Sequence, residues 1–226
     1  TLGMRGVHDS QMLGYNTDKE RAEALKLIIA AQRDILQTYL GKQKETVPQL
    51  FCPYKEALLH YNQGINLPTD VTLLWPDDNH GYVRQLSDPT EQLRSGGGGV
   101  YYHLSYLGGP QEYLWLSSIS PALISYEMGK AYAMNSKNIW VFNVGDLKPA
   151  EYEYQFAMDL AWDINAWMPE KANEYARHWA EEHFGSELAD EIGDIKTKYT
   201  ELAASGKPEH VHVSTLSVKE IEQRLT

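Results

Sequence analysis

The residues able to do chemistry in this sequence recur in one kind of place, at or just after short apolar runs. Arg5 and Asp9 follow the run at residues 1–4. Tyr54 and Glu56 follow Pro48-Gln49-Leu50-Phe51-Cys52, and Asp77, Asp78, Asn79 and His80 follow Val71-Thr72-Leu73-Leu74-Trp75. His103 lies inside Val100-Tyr101-Tyr102-His103-Leu104 with Tyr106 just beyond, and Ile139-Trp140-Val141-Phe142 ends in Asn143, with Asp146 after it. Several carboxyl groups at one rim suit general acid–base chemistry on a glycosidic or similar bond. One stays protonated to donate to the leaving oxygen, and another is ionised to activate water or to attack directly. Enclosing them together pushes their pKa values apart. Arg5, His103 and the tyrosines then supply donors to sugar hydroxyls or to a substrate carboxylate.

Each of these residues also has a purely structural reading. A single Asp after a strand is commonly a helix N-cap. Asp77-Asp78-Asn79 and Asn143-Val144-Gly145-Asp146 could simply be turns. Arg5 could be an ion-pair partner, His103 a hydrogen-bonded core histidine, and Tyr54 and Tyr106 core aromatics with a satisfied hydroxyl. Required five times over at one rim, the structural reading weakens. Asp9, Asp77 and His103 are acceptable ligands for a divalent metal, but no His-x-x-x-His spacing accompanies them, and His210-Val211-His212 sits in a loop-like tail. No metal or other cofactor is therefore expected. There is no Gly-x-Gly-x-x-Gly, Gly-x-x-x-x-Gly-Lys or Gly-x-Ser-x-Gly, so nucleotide binding and a serine-hydrolase elbow are not indicated.

The elements that must position these groups are strands alternating with helices. The apolar runs are short and rich in β-branched and aromatic residues, as strands buried on both faces are. The stretches between them leave room for crossovers, which implies βα units and a parallel sheet with its site at the C-terminal ends of the strands. Thr17, with Glu20 three residues on, forms a capping box for a helix carrying Leu25, Ile28, Ile29, Gln32, Ile35, Leu36, Tyr39 and Leu40 at helical spacing, stopped by Gly41. From Pro149 the pattern turns helical. Tyr152, Phe156, Leu160, Ile164 and Trp167 share a face, a second helix runs from Pro169 through Trp179 and Phe184, and a third occupies about residues 187–203. Ser217-Val218-Lys219-Glu220 is another capping-box pattern. The glycine run at residues 95–99 reads as a mobile loop or a close approach to ligand.

The chain has 226 residues, 42% apolar and 23% charged, enough for a hydrophobic core. With 20 Lys+Arg against 31 Asp+Glu its net charge is −11, which argues against nucleic acid or an anionic membrane surface as a partner. The single cysteine excludes an internal disulfide framework, and no apolar run is long enough to span a bilayer.

Several long motifs in the same order resemble glycoside hydrolase family 115. They are Thr1-Leu2-Gly3-Met4-Arg5-Gly6, Trp75-Pro76-Asp77-Asp78-Asn79-His80-Gly81-Tyr82, Gly97-Gly98-Gly99-Val100-Tyr101-Tyr102-His103, Tyr113-Leu114-Trp115-Leu116 and Asn143-Val144-Gly145-Asp146-Leu147-Lys148-Pro149. The resemblance implies a xylan α-1,2-glucuronidase that removes glucuronic acid, often 4-O-methylated, from glucuronoxylan with inversion. It also implies a secreted or periplasmic location. By this resemblance the pocket comprises Arg5, Asp9, Tyr54, Glu56, Asp77, Asn79, His103, Tyr106 and Asn143. Glu56 is the first candidate for acid–base work, Asp9 the second, and Asp77 stands for either role. Arg5 suits the glucuronate carboxylate, Tyr54, Asn79, His103, Tyr106 and Asn143 contact the sugar, and no metal is involved.

The expected fold class is α/β, a partial TIM-like (β/α) barrel of about five parallel strands over residues 1–150. A helical segment over 151–226 then completes the barrel layer or begins a following domain. A closed barrel has eight strands, so the family's N-terminal strands are expected to be missing. The first strand should then expose an edge, which puts activity of the isolated stretch in doubt. The alternatives are a hydrolase of another uronic-acid-decorated glycan and a non-catalytic carbohydrate-binding relative.

Overall fold

The computed structural model describes residues 1–8, 10–108, 116–205, 217 and 219. Asp9, residues 113–115 of the Tyr113-Leu114-Trp115-Leu116 motif, His210, His212, and Val218 and Glu220 of the last capping-box pattern lie outside the described residues. Four strands, β1 (Leu50–Phe51), β2 (Thr72–Pro76), β3 (Gly98–His103) and β4 (Ile139–Asn143), form a sheet in the order β1-β2-β3-β4. β1 pairs with β2 in parallel, Phe51 opposite Leu73, and β2 with β3 in parallel, Trp75 opposite Val100. The helices are α1 (Asp18–Leu40), α2 (Glu56–Asn62), α3 (Pro121–Ala133), α4 (Glu151–Trp162), α5 (Tyr175–Phe184) and α6 (Ala189–Ser205). The fold is thus α/β on a parallel sheet, as the alternation of apolar runs implies. The chain divides into two compact units. One comprises residues 1–78, 83–101 and 131–141, the other residues 79–82, 102–130 and 142–226.

β2 and β3 are covered as expected, but β4 is not buried on both faces: Ile139 is exposed and Trp140, Val141, Phe142 and Asn143 are half-buried. Leu73, Trp75 and Val100 are wholly buried, each such side chain being worth about 1.5–3 kcal/mol of transfer free energy. The expected strand at residues 1–4 is reduced to a single parallel bridge, Leu2 opposite Phe51. Gly3 is the reason. Its φ of +110° breaks the extended run, and its backbone turns to the Gln32 side chain, whose Oε1 accepts from the Gly3 N–H at 2.8 Å and whose Nε2 donates to the Gly3 carbonyl at 2.9 Å. A carboxamide on α1 stands in for a neighbouring strand.

α1 starts at the Thr17–Glu20 capping box and ends at Gly41 in the left-handed conformation. Its inward stripe is Ala22, Leu25, Ile29 and Arg33. The apolar residues of its last turns, Ile35, Tyr39 and Leu40, are exposed instead. Arg33 takes the inward place because its charge is matched there. It forms a two-pronged pair with Asp70 at 2.8 and 3.1 Å and donates to Gln49 Oε1 at 3.1 Å, which ties α1 to the entrances of β1 and β2.

The glycine run is a packing requirement. β3 begins at Gly98, inside the run, and a β-carbon on Gly99 would lie 2.2 Å from the Ile139 carbonyl oxygen. One on Gly96 would lie 2.5 Å from the Asp70 carbonyl, and Gly97 has a φ of +64°. The close approach expected at this run is therefore to the chain's own backbone. Its tightness comes from strands packing edge to edge, which single-residue spacing does not disclose.

In the second unit, α4 ends at Trp162, so Ile164 and Trp167 lie beyond the helix whose face they were expected to share, and α5 begins only at Tyr175 after a 3₁₀ turn at Ala172–Glu174. Aromatic rings make this core. Tyr175 meets Phe156 and Trp167 edge to face at 4.8 and 4.9 Å, and its hydroxyl donates to Asp159 at 2.5 Å. The Lys196 ammonium on α6 lies 4.8 Å from the Trp179 ring and 5.2 Å from the Tyr152 ring. Glu153 on α4 is 3% exposed and its Oε2 has no hydrogen-bond partner. Burial pushes its carboxyl above the usual carboxylate range, against smaller opposing pulls from the Ser117 hydroxyl, its own backbone N–H and Lys196.

Gly99→Ala should lower the unfolding free energy by about 1–3 kcal/mol, since the carbonyl it meets is backbone and cannot swing away. Gly129→Ala in α3, with nothing within 4 Å, should raise it by about 0.5–1 kcal/mol. Paired urea melts check both, and equal midpoints for the two variants would refute the packing argument. Glu153 sets a pH dependence. Its pKa is higher folded than unfolded, so no stability is lost below the ordinary value of 4.5 and stability falls as the pH rises above it. Glu153→Gln should match the parent's Tm near pH 4.5 and exceed it at pH 8, in thermal melts across that range.

Candidate active site

In the first unit the end of β1 and the start of α2 make the densest constellation. Arg5 donates from Nε to Glu56 Oε1 at 2.8 Å and from Nη2 to Oε2 at 2.9 Å, a planar fork on a carboxylate. Both partners are largely buried, their side chains 22% and 12% exposed. Glu56 is the first residue of α2, where a negative charge also meets the positive end of the helix dipole. The Arg5 guanidinium carbon lies 5.2 Å from the centroid of the Tyr54 ring, and that ring meets Tyr101 edge-on at 5.6 Å. Arg5, Tyr54 and Glu56, separate in sequence, are therefore one cluster.

Asp77 follows the last residue of β2. It is 5% exposed, and its backbone N–H donates to the Tyr101 carbonyl at 3.0 Å, which holds the strand end in register. Its neighbour Asp78 is paired with Arg84 at 2.7 Å and closes the following loop. The two aspartates thus divide the work, one buried at the strand end and one bracing the turn. A cavity of about 480 Å³ opens beside the cluster, with Arg5, Cys52, Tyr54 and Tyr101 among its walls and Met4 and Leu74 as apolar ones. Burial pushes the Cys52 thiol up to about 12, with Arg5 pulling the other way and Asp77 adding to the rise. A thiol so placed stays protonated and acts as an apolar wall, not as a nucleophile.

In the second unit Asn79 takes a left-handed backbone, φ +69°, which asparagine tolerates. Gly81 follows at φ +89° and accepts from the Tyr102 hydroxyl at 2.9 Å. A β-carbon there would lie 3.0 Å from that hydroxyl and 3.1 Å from Leu123. His103, the last residue of β3, is 1% exposed. The Tyr106 ring stands edge-on to His103 at 5.5 Å and to His80 at 6.2 Å, so Tyr106 joins two imidazoles. Asn143 ends β4. Its carbonyl accepts from Leu104 and Ser105 at 2.9 and 3.3 Å, and the Ser105 hydroxyl accepts from the Gly145 N–H, which fixes the Asn143–Gly145 turn.

Arg5, Tyr54, Glu56 and Asp77 thus lie in the first unit and Asn79, His103, Tyr106 and Asn143 in the second, while Asp9 lies outside the described residues. Tyr101, Cys52 and His80 belong to these clusters, though they are not among the residues assigned from sequence. His80 sits in a motif already singled out. Tyr101 lies mid-strand, and nothing in its local pattern separates it from a core aromatic. Among the described residues no group of three or more His, Cys, Asp or Glu side chains could hold a metal ion, and no helix is long and apolar enough to cross a membrane.

With this geometry in view, comparison with known proteins places the chain. Residues 1–210 match the description "Glycosyl hydrolase family 115", and the chain belongs to that family. A solved structure described as a novel family GH115 4-O-methyl-α-glucuronidase with specificity for decorated arabinogalactans is 40% identical, with a TM-score of 0.92 over 99% of this chain and 32% of its own. The chain therefore spans about a third of the length of that relative. No curated protein matches it.

Arg5→Met would leave the Glu56 carboxylate without two charge-assisted donors. It should lower the unfolding free energy by about 1–3 kcal/mol, and the Arg5→Met/Glu56→Gln double variant should recover part of that loss. A double-mutant cycle by urea denaturation reads the coupling. Additive effects of the two changes would show that the fork contributes nothing to stability.

Proposed function

We propose that this chain carries part of the active site of a glycoside hydrolase that releases glucuronic acid, including its 4-O-methyl form, from an acidic plant polysaccharide. The observation that carries the proposal is the Arg5–Glu56 fork above the Tyr54 ring, set beside a cavity at the C-terminal end of β1. Family membership supports the reaction class. The solved relative's action on decorated arabinogalactans supports a glycan class wider than glucuronoxylan.

In this reading the reaction inverts the anomeric carbon. Glu56, held by both prongs of Arg5, draws a proton from the attacking water, and a second carboxyl, Asp77 or Asp9, protonates the leaving oxygen. Arg5 fixes the Glu56 oxygens and lends positive charge for the substrate carboxylate. Tyr54, Asn79, His103, Tyr106 and Asn143 orient the sugar. Four paired strands are half of a closed eight-stranded barrel, so the working enzyme has further strands beside these. It acts where its polymer is, in the periplasm or outside the cell.

The test is glucuronate release from 4-O-methylglucuronoxylo-oligosaccharides and from glucuronate-bearing arabinogalactan. Glu56→Gln should lower kcat by about 10²–10⁴-fold, and Asp77→Asn or Asp9→Asn should do the same for the residue that is the acid. NMR should show β-glucuronate as the first-formed anomer. Parental rates in all three variants would overturn the assignment, and glycan binding without hydrolysis by the parent would identify a binding relative instead.

A further inference from the structure

Two loops of the second unit carry the same short pattern, Asn79-His80-Gly81 and Asn143-Val144-Gly145. In each, the glycine two residues past the asparagine is bonded through its backbone to a buried hydroxyl. The Tyr102 hydroxyl donates to the Gly81 carbonyl at 2.9 Å, and the Ser105 hydroxyl oxygen accepts from the Gly145 N–H. Tyr102 is wholly buried and Ser105 is 3% exposed. Both hydroxyls come from one short stretch, since Tyr102 is the penultimate residue of β3 and Ser105 lies two residues past its end. Phenylalanine would fill the space of Tyr102 without the bond to Gly81.

The two grips leave the loops little freedom. Asn79 and Gly81 both have left-handed backbone, φ +69° and +89°. A β-carbon on Gly81 would lie 3.0 Å from the Tyr102 hydroxyl, 3.1 Å from Leu123 and 3.2 Å from Ile119, so the chain is seated against all three. Ser105 holds the other loop at two points. Its N–H donates to the Asn143 carbonyl at 3.3 Å while its hydroxyl takes the Gly145 N–H. The Tyr102 ring also stands edge-on, at 6.1 Å, to Phe142, the residue before Asn143. A bond to backbone fixes where the chain runs, whatever side chain it carries. A side chain that must meet a sugar hydroxyl at hydrogen-bond distance depends on that backbone to a fraction of an ångström. We propose that Tyr102 and Ser105 are positioning residues, which set where Asn79 and Asn143 meet the sugar. This rests on the function proposed above, in which the two asparagines orient it.

The experiment measures kcat, KM and Tm for the full-length enzyme acting on 4-O-methylglucuronoxylo-oligosaccharides. The variants are Tyr102→Phe, Ser105→Ala, Asn79→Ala and Asn143→Ala, singly and in pairs. Tyr102→Phe and Ser105→Ala should each lower kcat/KM about fivefold to twentyfold at temperatures well below Tm. With Asn79→Ala already present, Tyr102→Phe should cost less than about twofold, and so should Ser105→Ala on top of Asn143→Ala. In the crossed pairs, Tyr102→Phe with Asn143→Ala and Ser105→Ala with Asn79→Ala, each hydroxyl should keep its full effect. A merely structural hydroxyl would cost the same in both kinds of pair. Where one single variant does not fold, the cycle on the other hydroxyl decides. Parental kcat/KM in Tyr102→Phe and Ser105→Ala, with the asparagine variants impaired, would overturn this inference alone, as would equal effects in matched and crossed pairs. Unimpaired asparagine variants, or a parent that releases no glucuronate, would overturn the functional reading of these residues and this inference with it.

Discussion

A parallel strand covered on both faces has no room for an unmatched polar side chain along its length, and the site follows from that constraint. β2 is apolar from Leu73 through Trp75, and its first buried carboxylate, Asp77, comes one residue after it ends. β1 is followed within five residues by Tyr54 and Glu56, β3 ends in His103 and β4 in Asn143. For the covered strand β2 the polar group comes where the backbone leaves the sheet, whereas half-buried β4 is under no such constraint.

Charge is handled by pairing, at both ends of the strands. At their entrances Arg33 is buried against Asp70 and Gln49, a structural fork that locks α1 to the sheet. At their exits Arg5 makes the same kind of fork with Glu56, but over an aromatic ring. The geometry of the two is alike, and open volume adjoins both. What sets the Arg5 fork apart is the Tyr54 ring beneath it and its place at the C-terminal ends of the strands. In a chain of net charge −11, positive charge is gathered at the Tyr54 ring, with the Arg5 guanidinium at 5.2 Å and the Lys55 ammonium at 5.3 Å from its centroid.

Small residues carry as much of the design as charged ones. Gly96, Gly97 and Gly99 let β3 start flush against its neighbours, and Gly81 lets the loop after Asn79 lie on the Tyr102 hydroxyl. A glycine-rich stretch before a strand is ambiguous in one dimension, since a ligand and a neighbouring carbonyl demand the same absence of a β-carbon. Only the position of Ile139, forty residues away in the chain, resolves it for Gly99.

The sequence by itself determined the α/β alternation, the capped α1 and the helical stretch after residue 150. Those follow from local periodicity, turn chemistry and motif order, which are written in consecutive residues. Other features were decided only by tertiary structure. The first strand shrank to one bridge because a side chain on α1 took over the hydrogen bonds of Gly3. Arg33 replaced apolar neighbours on the inward stripe because Asp70 was there to meet it. Arg5 came to hold Glu56, fifty-one residues on. Each of these depends on which distant group lies within about 3–5 Å, and hydrogen bonds and ring contacts act only over that range.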